Sequence, residues 1–136
     1  MEGADAEIFA ALGWGADFDA DWRDRGRPGW PGRVSRVDRN WSTLLVPDAT
    51  VIDDDARRRV GHHRLRNLHE TVAVGDWVVA SDDGERVEHV LARRSAFVRR
   101  ASFEGSRAVA DVLAANLDTV FLTHSMGSAP NQRRLE

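Results

Sequence analysis

Two clusters of arginine are the residues of this chain best suited to engage another molecule. Residues 57–66, RRRVGHHRLR, hold Arg57, Arg58, Arg59, Arg64 and Arg66 with His62 and His63 and no acid. Residues 93–107, RRSAFVRRASFEGSR, hold five arginines, Arg93, Arg94, Arg99 and Arg100 among them, against one glutamate. A planar guanidinium meets phosphate oxygens two at a time, so both clusters suit a polyanion. Solvated arginine-rich strands between acidic loops would give the same counts. His62, His63 and His69 raise the question of a metal, but adjacent strand residues point to opposite faces and no carboxylate stands at a helpful spacing. Asp53, Asp54 and Asp55 have the oxygens for Mg²⁺ or Ca²⁺; a solvated acidic loop facing Arg57, Arg58 and Arg59 is the simpler reading. No metal site is assigned. No Ser/His/Asp grouping suggests a catalytic residue either.

Composition narrows the chemistry further. All nineteen basic residues are arginine, which removes Schiff-base catalysis and the lysine of a GxxxxGK[ST] phosphate loop. Cysteine is absent, so there are no disulfides and no thiolate zinc ligands. The net charge of −3 conceals a gradient. Residues 1–24 carry seven acids and one arginine, −6, and the remainder is +3. No apolar run reaches membrane-spanning length, and the N-terminus is acidic where an export signal is basic. A cytoplasmic chain with no membrane partner is expected.

The elements that would position these residues are mostly strands. Asp5 is a candidate N-cap for a short helix, AEIFAAL, stopped by Gly13 and Gly15. An acidic, irregular connector follows over residues 16–30, anchored by Phe18, Trp22 and Trp30, and the Pro- and Gly-rich GRPGWPGR marks a boundary. Strands are expected at 33–38, 41–46, 60–68, 77–80 and 86–91, with turns at Arg39-Asn40 and Asp82-Asp83-Gly84 and a loop over 48–55. Five short, tightly connected strands fit a small closed barrel of the OB type; an SH3-like barrel or a split sandwich would space them similarly. Asp76 reads as a turn residue bonding its own backbone and Trp77 as core. Residues 107–115, RAVADVLAA, have helical composition. Residues 119–123, TVFLT, read as a buried parallel strand, and 131–136 as the first turn of a helix. Such a strand needs neighbours and a long crossover, so an N-terminal piece of a longer protein is expected, in which 118–136, left without partner strands, is disordered, packed irregularly or paired with another molecule.

Six segments, in order, carry a resemblance: LGW at 12–14, PGRVSRVDRN at 31–40, VAVGDWVVA at 72–80, RRSAFVRR at 93–100, LAANLDTVFLTHS at 113–125 and NQRRLE at 131–136. Together they resemble the N-terminal region of the ribosome-small-subunit-dependent GTPase A family, the RsgA/YjeQ type. The resemblance implies an OB barrel, then a circularly permuted GTPase domain, then a zinc-binding domain. It implies docking on the small ribosomal subunit late in maturation, and hydrolysis of GTP stimulated by that subunit. On this reading residues 1–30 are an acidic helix and connector, 31–105 the barrel, and 106–136 a linker with the first strand and helix start of the GTPase domain. The implied GTP, Mg²⁺ and structural Zn²⁺ would be held beyond Glu136, leaving this segment without a nucleotide site and inactive by itself. The expected partner of a monomeric chain is the small subunit and its rRNA; the alternative is a stand-alone OB module binding nucleic acid or protein, with no GTPase.

An OB barrel receives ligands on the face of strands two and three and at the rim loops. Arg39 and Trp41 flank the first hairpin turn, where an aromatic beside an arginine could stack a base and hold a phosphate; a barrel-closing core position is the equal alternative for Trp41. His62, Arg64 and Arg66 share one face of the third strand by alternation, after Arg57, Arg58 and Arg59, and read as rRNA backbone contacts, with a solvated strand edge as the alternative. Arg93, Arg94, Arg99 and Arg100 would either touch RNA or brace the domain that follows against acids absent from this chain.

Overall fold

The computed structural model describes residues 3–52, 58–68, 71–100, 110–124 and 126–127. It begins with two short helices, α1 (Ala4–Ala11) and α2 (Ala16–Asp24). Gly3, not Asp5, occupies the N-cap of α1; Asp5 sits in the first turn, where a carboxylate faces the positive end of the helix dipole. Both helices end in the same way. Gly13 and Gly26 take positive φ, with Gly13 N–H bonding Ala10 O and Trp14 N–H bonding Phe9 O, and Gly26 and Arg27 repeating the pattern on Arg23 and Trp22. This is the Schellman termination, which favours glycine at the left-handed residue. The connector expected to be irregular is therefore helical over α2. Ion pairs one turn apart, Asp19–Arg23 and Asp21–Arg25 at 3.0 Å, stabilise its exposed side.

Five strands close a barrel in the order β1-β2-β3-β5-β4: β1 (Trp30–Asp38), β2 (Trp41–Ile52), β3 (Arg58–Asn67), β4 (Trp77–Ala80) and β5 (Arg86–Val90). All neighbours are antiparallel except β3 and β5, which run parallel through Arg66↔Arg86 and Asn67↔Val87. The fold is mainly β, and this topology is that of an OB fold. β2 continues through Pro47 to Ile52, so part of the expected 48–55 loop is strand. Residues 53–57, with Asp53, Asp54, Asp55 and Arg57, and residues 69–70, with His69, lie outside the described residues.

β4 is buried on both faces. Val78 and Ala80 point into the barrel with Val34, Leu44, Leu65, Val72 and Val87. Trp77 and Val79 point out, into a second core formed with Phe9, Phe18 and Leu91 and flanked by Leu12, Trp14 and Trp22. Trp77 is core, as expected, with Trp14 edge-on at 4.8 Å between ring centroids. The helices thus cap one wall of the barrel with aromatic side chains.

Beyond the barrel the chain departs from expectation. Residues 110–115 form a strand, β7 (Ala110–Ala115), paired antiparallel with β6 (Ala96–Arg100), where helical composition suggested a helix. Pairing between Ala96 and Ala115 and a parallel bridge from Val74 to Ala114 override the local preference of an alanine-rich run. Residues 119–123 form no strand and leave Val120, Phe121 and Leu122 exposed, the irregular packing expected where a strand edge has no neighbour among the described residues. The helical turn expected at 131–136 lies outside the described residues.

Candidate nucleic-acid interface

Register places the arginines. Across β2 and β3, Leu45 faces His62, Thr43 faces Arg64 and Trp41 faces Arg66, while β5 adds Arg86 beside Arg66. Alternation turns Leu44 and Leu65 inward and leaves His62, Arg64 and Arg66 exposed on the outer face. Trp41 is half-buried and belongs to neither core cluster. The Arg64 guanidinium lies 4.8 Å from its ring centroid and that of Arg66 5.5 Å away. These cation–π contacts hold two flexible cations against a rigid plane. Neither Arg64 nor Arg66 forms an ion pair with a described residue, whereas Arg36 pairs with Asp38 at 2.7 Å and Arg86 with Glu88 at 3.2 Å.

Trp41, Arg64, Arg66 and Leu68 form one side of an open groove; Gly84, Glu85 and Arg86, from the β4–β5 turn and the start of β5, form the other. That turn is tightly built. Asp83 accepts hydrogen bonds from the Ser81 hydroxyl and from Glu85 N–H, which draw its pKa down, and Gly84 takes φ 73°. Sequence reasoning missed Glu85 and Arg86, because only the parallel β3–β5 pairing brings them to Trp41, and Leu68, which follows Arg66 by two residues just past the end of β3. Arg39 sits at the β1–β2 turn in a left-handed conformation (φ 48°) with its side chain exposed. His63 points away from this group and packs edge-on against Trp30 at 5.4 Å. Arg58 and Arg59 pair with Ile52 and Asp48 through the backbone; their side chains and Arg57 lie outside the described residues.

The second arginine cluster has a different setting. Two nitrogens of Arg93 lie 2.7 Å from the two carboxylate oxygens of the fully buried Asp76, and Arg93 also donates to Thr71 O. Asp76 does bond its own backbone, accepting from Ala73 N–H at 2.8 Å. Arg94 lies over the Phe18 ring at 4.8 Å and reaches Asp17 and Gly13 O. Arg99 pairs with Asp111 across β6 and β7 at 3.1 Å; the Arg100 side chain is not among those described. Arg93, Arg94 and Arg99 each meet a carboxylate of this chain, and Arg93 and Arg94 a backbone carbonyl as well. Asn116, buried at φ 55°, completes a clasp: it donates to Gly75 O, accepts from Arg94 N–H, and its carbonyl accepts from Arg33. Arg33 also donates to Leu12 O, and burial lowers its pKa.

Among the described residues no three of His, Asp or Glu converge on a point, and no helix is long and apolar enough to cross a membrane. No protein-family model matches the chain. It is 31% identical over 135 residues to the small ribosomal subunit biogenesis GTPase RsgA of Syntrophotalea carbinolica, covering 92% of this chain and 36% of that protein. The RsgA proteins of Streptomyces coelicolor and Xylella fastidiosa are each 33% identical, covering 94% and 95% of this chain and 34% and 38% of their own length. The chain spans about a third of the length of these relatives. With the closed barrel and the ordered segments above, these matches place the chain in the RsgA family, at the N-terminal part of its members.

Proposed function

We propose that this segment is the rRNA-docking barrel of a small-subunit biogenesis GTPase. The observation that carries the reading is the pair of guanidinium groups, Arg64 and Arg66, that form no ion pair with a described residue and are held against Trp41 where an OB barrel receives its ligand. The two arginines neutralise phosphates and release counterions, Trp41 offers its ring to an unpaired base, and Arg39 extends the positive surface at the neighbouring turn. His62, on the same strand and face, lengthens the track, and Arg58 and Arg59 belong to that strand. Residues 31–105 act as the docking unit, with 106–136 leading toward the GTPase domain. Hydrolysis, its stimulation by the subunit, and a cytoplasmic place of action belong to the full-length protein.

GTP, Mg²⁺ and structural Zn²⁺ do not fit the residues present. There is no lysine for a phosphate loop and no cysteine, and the described His, Asp and Glu do not converge.

The test is binding to purified small subunits across a salt series. Arg64→Ala/Arg66→Ala should shallow the slope of log K against log salt by about 1.4–1.8, the value for two lost phosphate contacts. Equal slopes for wild type and variant would reject the reading.

A further inference from the structure

The groove beside Trp41 contains one group that phosphate binding does not explain. Glu85 lines it together with Arg64 and Arg66, is exposed, and forms no ion pair with a described residue. Its backbone is fixed from both sides, so the side chain starts from a set point on the groove wall: its N–H donates to Asp83 and its carbonyl accepts from Arg66 N–H at 3.1 Å. A carboxylate in that place repels phosphate, and it is of use only to a ligand that brings N–H donors alongside its negative charge.

We propose that the groove takes an unpaired guanine, with Glu85 as the residue that selects it; the inference rests on the RNA-docking reading and deepens it. Unpaired bases expose their Watson–Crick edges to side chains. Guanine offers N1–H and N2–H side by side, matching the two oxygens of a carboxylate. Cytosine and adenine offer one exocyclic amino group next to an acceptor. Uracil offers N3–H between two carbonyls, which the carboxylate repels. In this arrangement Trp41 and Leu68 face the ring, Arg64 and Arg66 hold the flanking phosphates, and Glu85 accepts from the base edge.

The experiment compares two labelled single-stranded RNAs, an eight-residue oligouridine and the same strand with one central guanosine, by fluorescence anisotropy with the 136-residue chain. One good bidentate contact predicts about tenfold tighter binding of the guanosine strand. Glu85→Gln should cut that preference to about threefold or less while tightening oligouridine, because the repelling charge is gone; lost folding would weaken both strands instead. Arg64→Ala/Arg66→Ala should weaken both strands alike and keep the preference. Equal binding of the two strands by wild type, or an undiminished preference in Glu85→Gln, overturns the guanine assignment. Failure of both oligonucleotides to bind while small subunits bind through Arg64 and Arg66 overturns it too, leaving the docking reading intact. Failure of oligonucleotides and subunits alike overturns both.

Discussion

Arg93→Met removes the guanidinium that closes the Asp76 site and leaves the carboxylate where it is. Asp76 is fully buried, with both oxygens 2.7 Å from Arg93 nitrogens and one further bond from Ala73 N–H. Stranding a buried charge costs about 3–5 kcal/mol; because 24% of the Arg93 side chain is exposed and water can replace part of it, the lower end, about 3 kcal/mol, is expected. That is a large share of the roughly 5–15 kcal/mol that holds a domain folded. Asp76→Asn keeps an acceptor for Ala73 and frees a guanidinium that can turn to water, so about 1–2 kcal/mol is expected. In the double variant no charge is stranded, and the cycle should return a coupling of about 2 kcal/mol. Urea titration followed by tryptophan fluorescence reads it directly, with midpoints moving and slopes constant. Additive losses would refute the clasp as a coupled unit. A change in the salt slope of RNA binding for folded Arg93→Met would refute the structural assignment of Arg93.

The other expectations are smaller. Gly75→Ala should cost at least about 2 kcal/mol in thermal denaturation, since its φ is 91° and a Cβ would collide with the Ala115 carbonyl. Gly26→Ala, at φ 80° with open space around it, should cost only about 1 kcal/mol. Asp21 accepts from Ala92 N–H at 2.8 Å, which holds its pKa below 3.8. Its stabilising effect is present above the unfolded pKa and lost as pH falls through the folded value, so Asp21→Asn should lower stability at pH 7 and make no difference in strong acid. Phe121→Ser should leave the urea midpoint of this chain unchanged to within about 0.5 kcal/mol, its side chain being 87% exposed.

The barrel could be read from alternation because each strand puts its apolar residues on a defined face; WVVA, with both faces apolar, already implied cover on its outer side. The helix covering it, α2, was hidden by its acids. Its signals were the four-residue spacing of Trp14, Phe18 and Trp22 and the glycine at 26, both local and both overlooked beneath the charge. β7 had no local signal to find, since Ala110–Ala115 is held by Ala96–Arg100 and by Val74, far away along the chain. The candidate site divided in the same way. His62, Arg64 and Arg66 follow from period two, whereas the approach of Glu85 and Arg86 to Trp41 exists only once the barrel closes.

The five described segments that carried the family resemblance meet one another, not the groove. Leu12 accepts from Arg33, Gly75 passes so close to Ala115 that a side chain would not fit, Asp76 closes on Arg93, Arg94 reaches Gly13, and the Ser95 hydroxyl donates to Leu117 O. Each of these residues is fixed by the geometry of another, so a change in one disturbs the whole clasp. The side chains of Arg64 and Arg66 have no such ties to a described residue; they rest on Trp41 through contacts worth about 0.5–1 kcal/mol each at exposed sites. The framework of the barrel therefore stands without the side chains of the ligand face. Arg64→Ala/Arg66→Ala should accordingly lower the urea midpoint by no more than about 2 kcal/mol of stability while removing most of the salt dependence assigned to those two contacts. Were both properties to fall together, in proportion, the arginines would be part of the framework and the groove would lose its claim to the RNA.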